Sequence, residues 1–387
     1  MVLLQNFRVF ARSILKRVLI DGRWLGRPLR GIGIFNYGFL KSLSELNAAE
    51  TSFYIVVRGD TNMVRSLEFP ENYHFITFPH WCVDPIFDFF IFNYLTLWYK
   101  IDKVHFTGNT GFVFSAFGAR VILTIHDVSF LKPKNVVPFP SKNFKQAAGR
   151  IYRRLLVPLF AKLSDEVYTV SRFASKDIFK ELGIPAAYVY HGSNKPNIKQ
   201  GVFREGEVLE ELESSYFVVV SGLDPQKNLQ IAVAVFCELS KSLGLRAPNL
   251  LVLGVSKGQF IKKYSHIVLS QNIIFKDECT NTEVHQFILR SKTIIVPSYY
   301  ESFGLPVIEA FACLRMPLCS SSGALSEIAK DKAYYFDPND KQALYNLVLA
   351  TWTNELPTKL TPADAEKILR SFSWKNVAEF YLTKYLN

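Results

Sequence analysis

Short apolar runs alternate with segments of helical period along most of the chain, and this alternation predicts a parallel α/β architecture. In the first half "RVLID" (17–21), "SFYIVVR" (52–58), "KVHF" (103–106), "RVILTIHD" (120–127), "EVYTVS" (166–171) and "AYVYHG" (187–192) read as strands. Residues 33–46 and 174–182 carry the helical spacing between them. A polar, charged stretch without apolar period, 194–215, reads as a linker. A second series follows, with strands at 216–222, 249–254, 272–276, 293–298, 317–321 and 333–337 and helices at 228–243, 281–291 and 305–313. The expected fold is α/β, with two Rossmann-like doubly wound parallel-sheet domains, 1–195 and 196–371, facing a cleft. Ligands in such sheets bind beyond the carboxyl ends of the strands, so the strand-to-loop junctions are where chemistry is expected.

Composition narrows the class. A chain of 387 residues with 49% hydrophobic and 20% charged residues holds enough apolar material for two cores and is not a disordered polymer. The net charge of +11 is uneven: residues 1–200 carry 26 Lys/Arg against 14 Asp/Glu, and residues 201–387 carry 19 against 20. The first half therefore prefers an anionic partner, whether nucleic acid, acidic lipid headgroups or a phosphorylated substrate. No basic-aromatic repeat or nucleic-acid motif accompanies the charge, which argues against the first. The five cysteines, Cys82, Cys237, Cys279, Cys313 and Cys319, show no metal-ligand spacing and read as reduced thiols of a cytoplasmic protein. The opening segment, with Arg8, Arg12, Lys16 and Arg17 among apolar residues, fits a basic amphipathic surface element or an ordinary lead-in to the first strand. The aromatic run 85–99 is too short for a membrane span and contains Asp88.

The stretch "SYYESFGLPVIEAF" (298–311) places Glu301 and Glu309 on either side of a Gly-Leu-Pro helix start. A helix N-terminus offers unpaired N–H groups and partial positive charge to an anion. The same spacing also fits a solvated loop glutamate and a carboxylate that merely complements the helix dipole.

"PSYYESFGLPVIEAFAC" resembles the E-x7-E signature of the retaining GT-B glycosyltransferases, the glycosyl transferases group 1 or GT4-type family. The resemblance implies that Glu301 sits beside a donor sugar and that Glu309 holds ribose hydroxyls. Backbone amides of Ser302, Phe303, Gly304 and Leu305 would then approach the sugar and phosphates. "LIDGRWLGRPLRGIGIFNYG" resembles the family's first strand and glycine loop, which assigns Gly31 and Gly33 to the donor phosphates. "TIHDVSFLKP" places His126 where the family has an active-site histidine, and His191 in "YVYHGSN" is a further candidate. "SGLDPQKN" resembles the donor loop in which Lys227 pairs with the diphosphate and Asn228 follows it. "FSWKNVAEFYLTKYL" (372–386) matches a terminal helix that packs back on the N-terminal domain, so 372–387 is expected there. A lone histidine after a strand, or a lysine at a helix start, is ordinarily structural; the ordered set of motifs favours the functional reading.

Three departures matter. Gly222 and Gln226 stand where relatives place a second, arginine cation, and Arg27, Arg30 or Arg172 are the expected substitutes. Leu314 replaces a glycine behind Glu309, with one extra residue, and Ile34 replaces a frequent arginine. The resemblance, closest to bacterial mannosyl- and rhamnosyltransferases of polysaccharide and lipopolysaccharide assembly, implies a sugar-nucleotide donor, GDP-mannose first, and no metal. A glycan or lipid-diphosphate-linked acceptor, peripheral contact with anionic membrane on the cytoplasmic face and no nucleic acid complete the expectation. The rivals are a non-hydrolysing sugar-nucleotide epimerase and a catalytically weakened binding paralogue.

Overall fold

The structure is a computed structural model describing residues 15–25, 31–59, 68–133, 137, 144–193 and 216–387. The expected linker 194–215, with the domain boundary inside it, lies outside the described residues, as do the opening segment 1–14, Arg27 and Arg30.

The described residues open with β1 (Lys16–Asp21), α1 (Ile32–Ser44), β2 (Thr51–Arg58) and β3 (Tyr73–Phe78). Next comes a helical segment, α2, running through Asp84–Ile86, a π-turn at Phe87–Ile91 and Phe92–Trp98. Then follow β4 (Lys103–Phe106), β5 (Arg120–Thr124), α3 (Phe144–Leu163), β6 (Glu166–Thr169), α4 (Arg172–Leu182) and β7 (Ala187–Tyr188). The second series is β8 (Tyr216–Val220), α5 (Leu229–Leu243), β9 (Asn249–Leu253), α6 (Lys257–Lys263), β10 (Ile273–Lys276), α7 (Asn281–Arg290) and β11 (Ile295–Val296). It continues as α8 (Leu305–Ala312), β12 (Leu318–Ser320), α9 (Leu325–Ala329), β13 (Tyr334–Phe336), α10 (Lys341–Trp352), α11 (Pro362–Leu369) and α12 (Trp374–Leu386).

The first sheet has the order β3-β2-β1-β4-β5-β6-β7, and every pairing given for it is parallel. Strands β8 to β13 form two three-stranded parallel sheets, β10-β9-β8 and β11-β12-β13, joined by a parallel bridge between Val218 and Ile294. Both series thus follow the 3-2-1-4-5-6 pattern of doubly wound folds. The strands are runs such as Val18, Leu19 and Ile20 or Phe217, Val218 and Val219 at 0% exposure, as burial on both faces demands. Several strands stop earlier than expected, β7 at Tyr188, β6 at Thr169 and β8 at Val220 among them. β5 ends at Thr124, leaving 125–127 as loop, and β11 is cut at Val296 because Pro297 has no N–H for a ladder. Strand β3 (YHFITF) falls outside the expected set, and only Tyr73 of its six residues is buried.

Two compact units emerge. One comprises Met1–Thr124, Leu163–Glu166 and Ala378–Asn387; the other comprises Ile125–Lys162 and Val167–Val377. The last turns of α12 belong with the first-half strands. There the Tyr385 hydroxyl lies 2.6 Å from His105 Nδ1, the Tyr381 hydroxyl 2.8 Å from Thr124 Oγ1, and the Tyr381 ring packs edge-on to Phe39.

Candidate active site

In the second unit β8 and β11 are neighbours from which the chain departs in opposite directions across the sheet, so their C-terminal loops meet at the topological switch point. The loop after β8 carries Lys227 and the loop after β11 carries Glu301. Lys227 Nζ lies 2.7 Å from Glu301 Oε1, which also accepts from Ser298 Oγ at 2.9 Å. The loops are tied by Tyr299 N donating to Gln226 O at 2.7 Å. Asn228, buried with φ +49, locks them further by donating Nδ2 to Pro297 O at 3.1 Å and to Pro338 O at 2.8 Å. From below, Ala324 N donates to Glu301 O at 2.8 Å, and Gly323 packs so closely that a Cβ there would stand 2.2 Å from the same oxygen. Burial works against the Lys227 ammonium, but Glu301, with Asp224 and Asp127, outweighs it and holds its pKa above the ordinary lysine value.

Helix α8 begins beyond Glu301 at Leu305, with Gly304 as N-cap at φ +101 and no side chain capping the first turn. Pro306 has no N–H to offer, Val307 N and Ile308 N donate to Gly304 O at 3.0 and 3.5 Å, and no side chain caps the positive dipole end of the helix. Pro306 sits in the first turn, as its missing N–H favours. Glu309, five residues into α8, is half-buried and its carboxyl has no hydrogen-bond partner among the described residues. Burial pushes its pKa up to about 7, against the pull of Lys227. Leu314 adopts φ +59, the conformation a glycine would hold without cost, and Arg315 Nε, donating to Ser291 O at 2.9 Å, helps fix the turn. The glycine-to-leucine departure thus leaves the left-handed turn behind Glu309 intact.

A supporting shell surrounds this loop. Ser171 Oγ caps α4 by accepting from Ala174 N at 2.9 Å and donates to Ser302 O at 2.5 Å. The Glu327 carboxylate accepts from Arg172 N at 2.9 Å, Phe173 N at 2.7 Å and the Tyr190 hydroxyl at 2.9 Å. Tyr300 donates to Asp177 Oδ2 at 2.7 Å, and Asp177 is also paired with Lys132. Sequence reading singled out none of Ser298, Tyr300, Asp177, Lys132 or Glu327. Ser298 and Tyr300 stand in the stretch 298–311, Lys132 in "TIHDVSFLKP" and Ser171 at the end of the run 166–171, but no motif assigns any of them a role.

His126 is buried in the loop after β5, close enough to His191 to act on it electrostatically. His191 stacks on Phe303 with ring centroids 5.3 Å apart and meets Trp374 edge-on at 4.5 Å. Burial, aided by His126, pushes its pKa down to about 3, so the ring is neutral. Its Nδ1, 3.0 Å from the Gly192 carbonyl, is then the donor nitrogen. The second unit therefore contains Glu301, Lys227, Asn228, Ser302, Phe303, Gly304, Leu305, Glu309 and His126. Gly31 and Gly33 belong to the first unit at the start of α1, Gly31 exposed with φ +41 and Gly33 buried. Arg172 opens α4 with an exposed guanidinium that hydrogen-bonds Tyr188.

Residues 205–365 match the family profile described as Glycosyl transferases group 1. The chain carries a group 1 glycosyltransferase domain. It is 22% identical over 284 residues to O-antigen chain mannosyltransferase B of Escherichia coli, covering 69% of this chain and 70% of that protein. It is 24% identical over 226 residues to the serotype-specific mannosyltransferase WbdA of Escherichia coli, covering 56% of this chain but 28% of that protein. Among solved structures, sucrose-phosphate synthase from Thermosynechococcus elongatus superposes with a TM-score of 0.70 at 18% identity, covering 96% of this chain and 98% of that one. Anabaena HepE in complex with UDP gives 0.64 at 13% identity, covering 95% and 99%. These likenesses show a GT-B fold.

Proposed function

We propose that this glycosyltransferase is retaining and metal-independent, and moves a hexose, mannose first, from a nucleotide diphosphate sugar to a glycan or lipid-diphosphate-linked acceptor during surface-polysaccharide assembly. The observation that carries the reading is the Lys227–Glu301 pair at the switch point, followed on the same loop and helix by the unpartnered carboxylate of Glu309. A diphosphate entering there competes with Glu301 for Lys227 and meets the positive dipole end of α8. Glu301, released from that contact, accepts from a sugar hydroxyl. Glu309 accepts from two vicinal ribose hydroxyls, a pairing suited to a carboxylate with both oxygens unpartnered among the described residues. The bond from the anomeric carbon to the leaving phosphate breaks as the acceptor oxygen bonds on the same face, and the acceptor's proton passes to the leaving phosphate oxygen. No protein base is then required. Lys227 and the loop amides stabilise the charge that grows on the leaving group, an effect worth about 3–4 kcal/mol per well-placed donor. The neutral His191 stacks on Phe303, and His126 acts on His191 electrostatically. The mannose assignment rests on the mannosyltransferase names of the relatives. A cytoplasmic enzyme working at the inner membrane face fits the lipid-linked acceptor.

A thermal-shift screen against GDP-, UDP-, ADP- and dTDP-sugars tests the donor. GDP-mannose is expected to raise the Tm of the wild type and not that of Lys227→Met. If no sugar nucleotide stabilises the wild type, or the product has an inverted anomeric configuration, the reading fails.

A further inference from the structure

Helix α2 is anchored on one side and bare on the other. Phe87, Phe92 and Leu95 are buried, and Asp88, also buried, pairs with Arg23 at 2.8 Å. Asn93 holds the loop between β4 and β5, donating to Phe112 O at 2.9 Å and accepting from Phe114 N at 2.8 Å. The opposite side presents Phe90 (70% exposed), Tyr94 (58%), Leu97 (55%) and Trp98 (67%). Phe90, Tyr94 and Trp98 recur at every fourth position, so they form one stripe, with the Tyr94 and Trp98 rings stacked at 5.8 Å. Rigid aromatic side chains left in water at such spacing form an apolar patch that no core requirement explains.

The stripe runs into a cation-lined pocket. A concavity of about 460 Å³ begins at Leu97 and is lined by Lys16, Lys100, Lys103, Arg120 and Phe117, among others. Its side-chain carboxylate, Asp102, already accepts from Arg17 N at 2.8 Å. Lys103 is 3% exposed and donates to Lys384 O. Burial lowers its pKa, and Arg120, Lys16 and Lys384 push it the same way, against Glu166, which lies 3.5 Å from Arg120; the like charges outnumber that carboxylate, so a further anion would relieve them.

We propose that this face docks on a bilayer containing anionic phospholipid, with the α2 stripe in the headgroup–acyl boundary and a lipid phosphate in the Lys16/Lys100/Lys103/Arg120 pocket. Charge complementarity selects this occupant. A second copy of the chain would bring a like cluster of cations to the same contact, whereas anionic lipid supplies both the apolar layer and the phosphate. Tryptophan and tyrosine are the side chains that favour the membrane–water interface. The inference deepens the lipid-linked acceptor reading above, yet rests on residues outside the sugar-nucleotide site.

Vesicle flotation of the full chain tests it. The wild type is expected to float with phosphatidylethanolamine/phosphatidylglycerol vesicles, not with phosphatidylcholine alone, and to be released at about 0.5 M salt. Lys100→Gln/Arg120→Gln is expected to lower partitioning about thirtyfold, at roughly fivefold per cation. Phe90→Ser/Trp98→Ser is expected to lower it at least about tenfold. Both pairs leave the donor-induced thermal shift unchanged, so failure here is distinguishable from failure of the donor assignment. A control, Lys176→Gln/Lys180→Gln on α4, is expected to float like the wild type. The proposal is overturned if the wild type does not float, if either α2-side pair floats unchanged, or if the control loses as much. It is equally overturned if Phe90→Ser/Trp98→Ser merely disperses a dimer in sedimentation, or if soluble glycerol phosphate raises the Tm while vesicles do not bind.

Discussion

Replacing Glu309 by glutamine separates the two things its carboxylate does. In the free protein the carboxyl has no hydrogen-bond partner among the described residues, and burial raises its pKa from 4.5 to about 7. A carboxyl whose folded pKa is raised stabilises the fold fully below its unfolded pKa, and this contribution disappears as pH rises through the folded value. At about 1.4 kcal/mol per pH unit, the interval corresponds to about 3.4 kcal/mol, and partial solvent access reduces it to about 2–3 kcal/mol. Glu309→Gln is therefore expected to match the wild type near pH 4.5 and to exceed its stability by about 2–3 kcal/mol at pH 8. Donor binding moves the other way. Two hydrogen bonds from vicinal hydroxyls to a carboxylate, each worth about 1.5 kcal/mol, predict roughly hundredfold weaker GDP-mannose binding at pH 8. Because the bound state favours the ionised form, wild-type affinity should fall about tenfold per pH unit below 7 while that of the variant stays flatter. Urea unfolding and calorimetric titration across pH 5–8 read both arms. A variant less stable than the wild type at pH 8, or one with unchanged donor affinity, refutes the reasoning.

Lys227→Met leaves Glu301 partly buried without its cation, so unfolding should become easier by about 2–3 kcal/mol and transfer should fall at least about a hundredfold, measured by denaturation and initial rates. Gly304→Ala places a Cβ 2.8 Å from Leu325 Cδ2 at φ +101, and a loss of about 2 kcal/mol is expected in urea unfolding. Glu327→Ala strips acceptors from Arg172 N, Phe173 N and the Tyr190 hydroxyl; about 2–3 kcal/mol is expected in the same assay, with Glu327→Gln recovering part of it.

Wherever an element is fixed by its own residues, the sequence announces it. The buried strands β1, β2, β8 and β9 are continuous apolar runs, and Gly304-Leu305-Pro306 punctuates the start of α8. Lys227, Glu301 and Glu309 were legible because each lies in a motif where a strand gives way to a helix. What stayed hidden depends on distant partners. Asp177 and Tyr300 are 123 residues apart, and Ser171 and Ser302 are 131 apart, so no local pattern links them. Strand β3 is an edge strand with one buried residue, and His74 and Thr77 interrupt the apolar run that marks the others. The aromatic stretch of α2 was legible as too short for a span, but only the fold shows which of its rings face solvent.

Backbone hydrogen exchange with and without GDP-mannose measures most directly whether a sugar nucleotide occupies the junction after β8 and β11. Protection confined mainly to residues 222–228 and 301–308, and lost in Lys227→Met, is the predicted result. No protection by any sugar nucleotide, or protection that leaves those two loops exchanging as before, would contradict it.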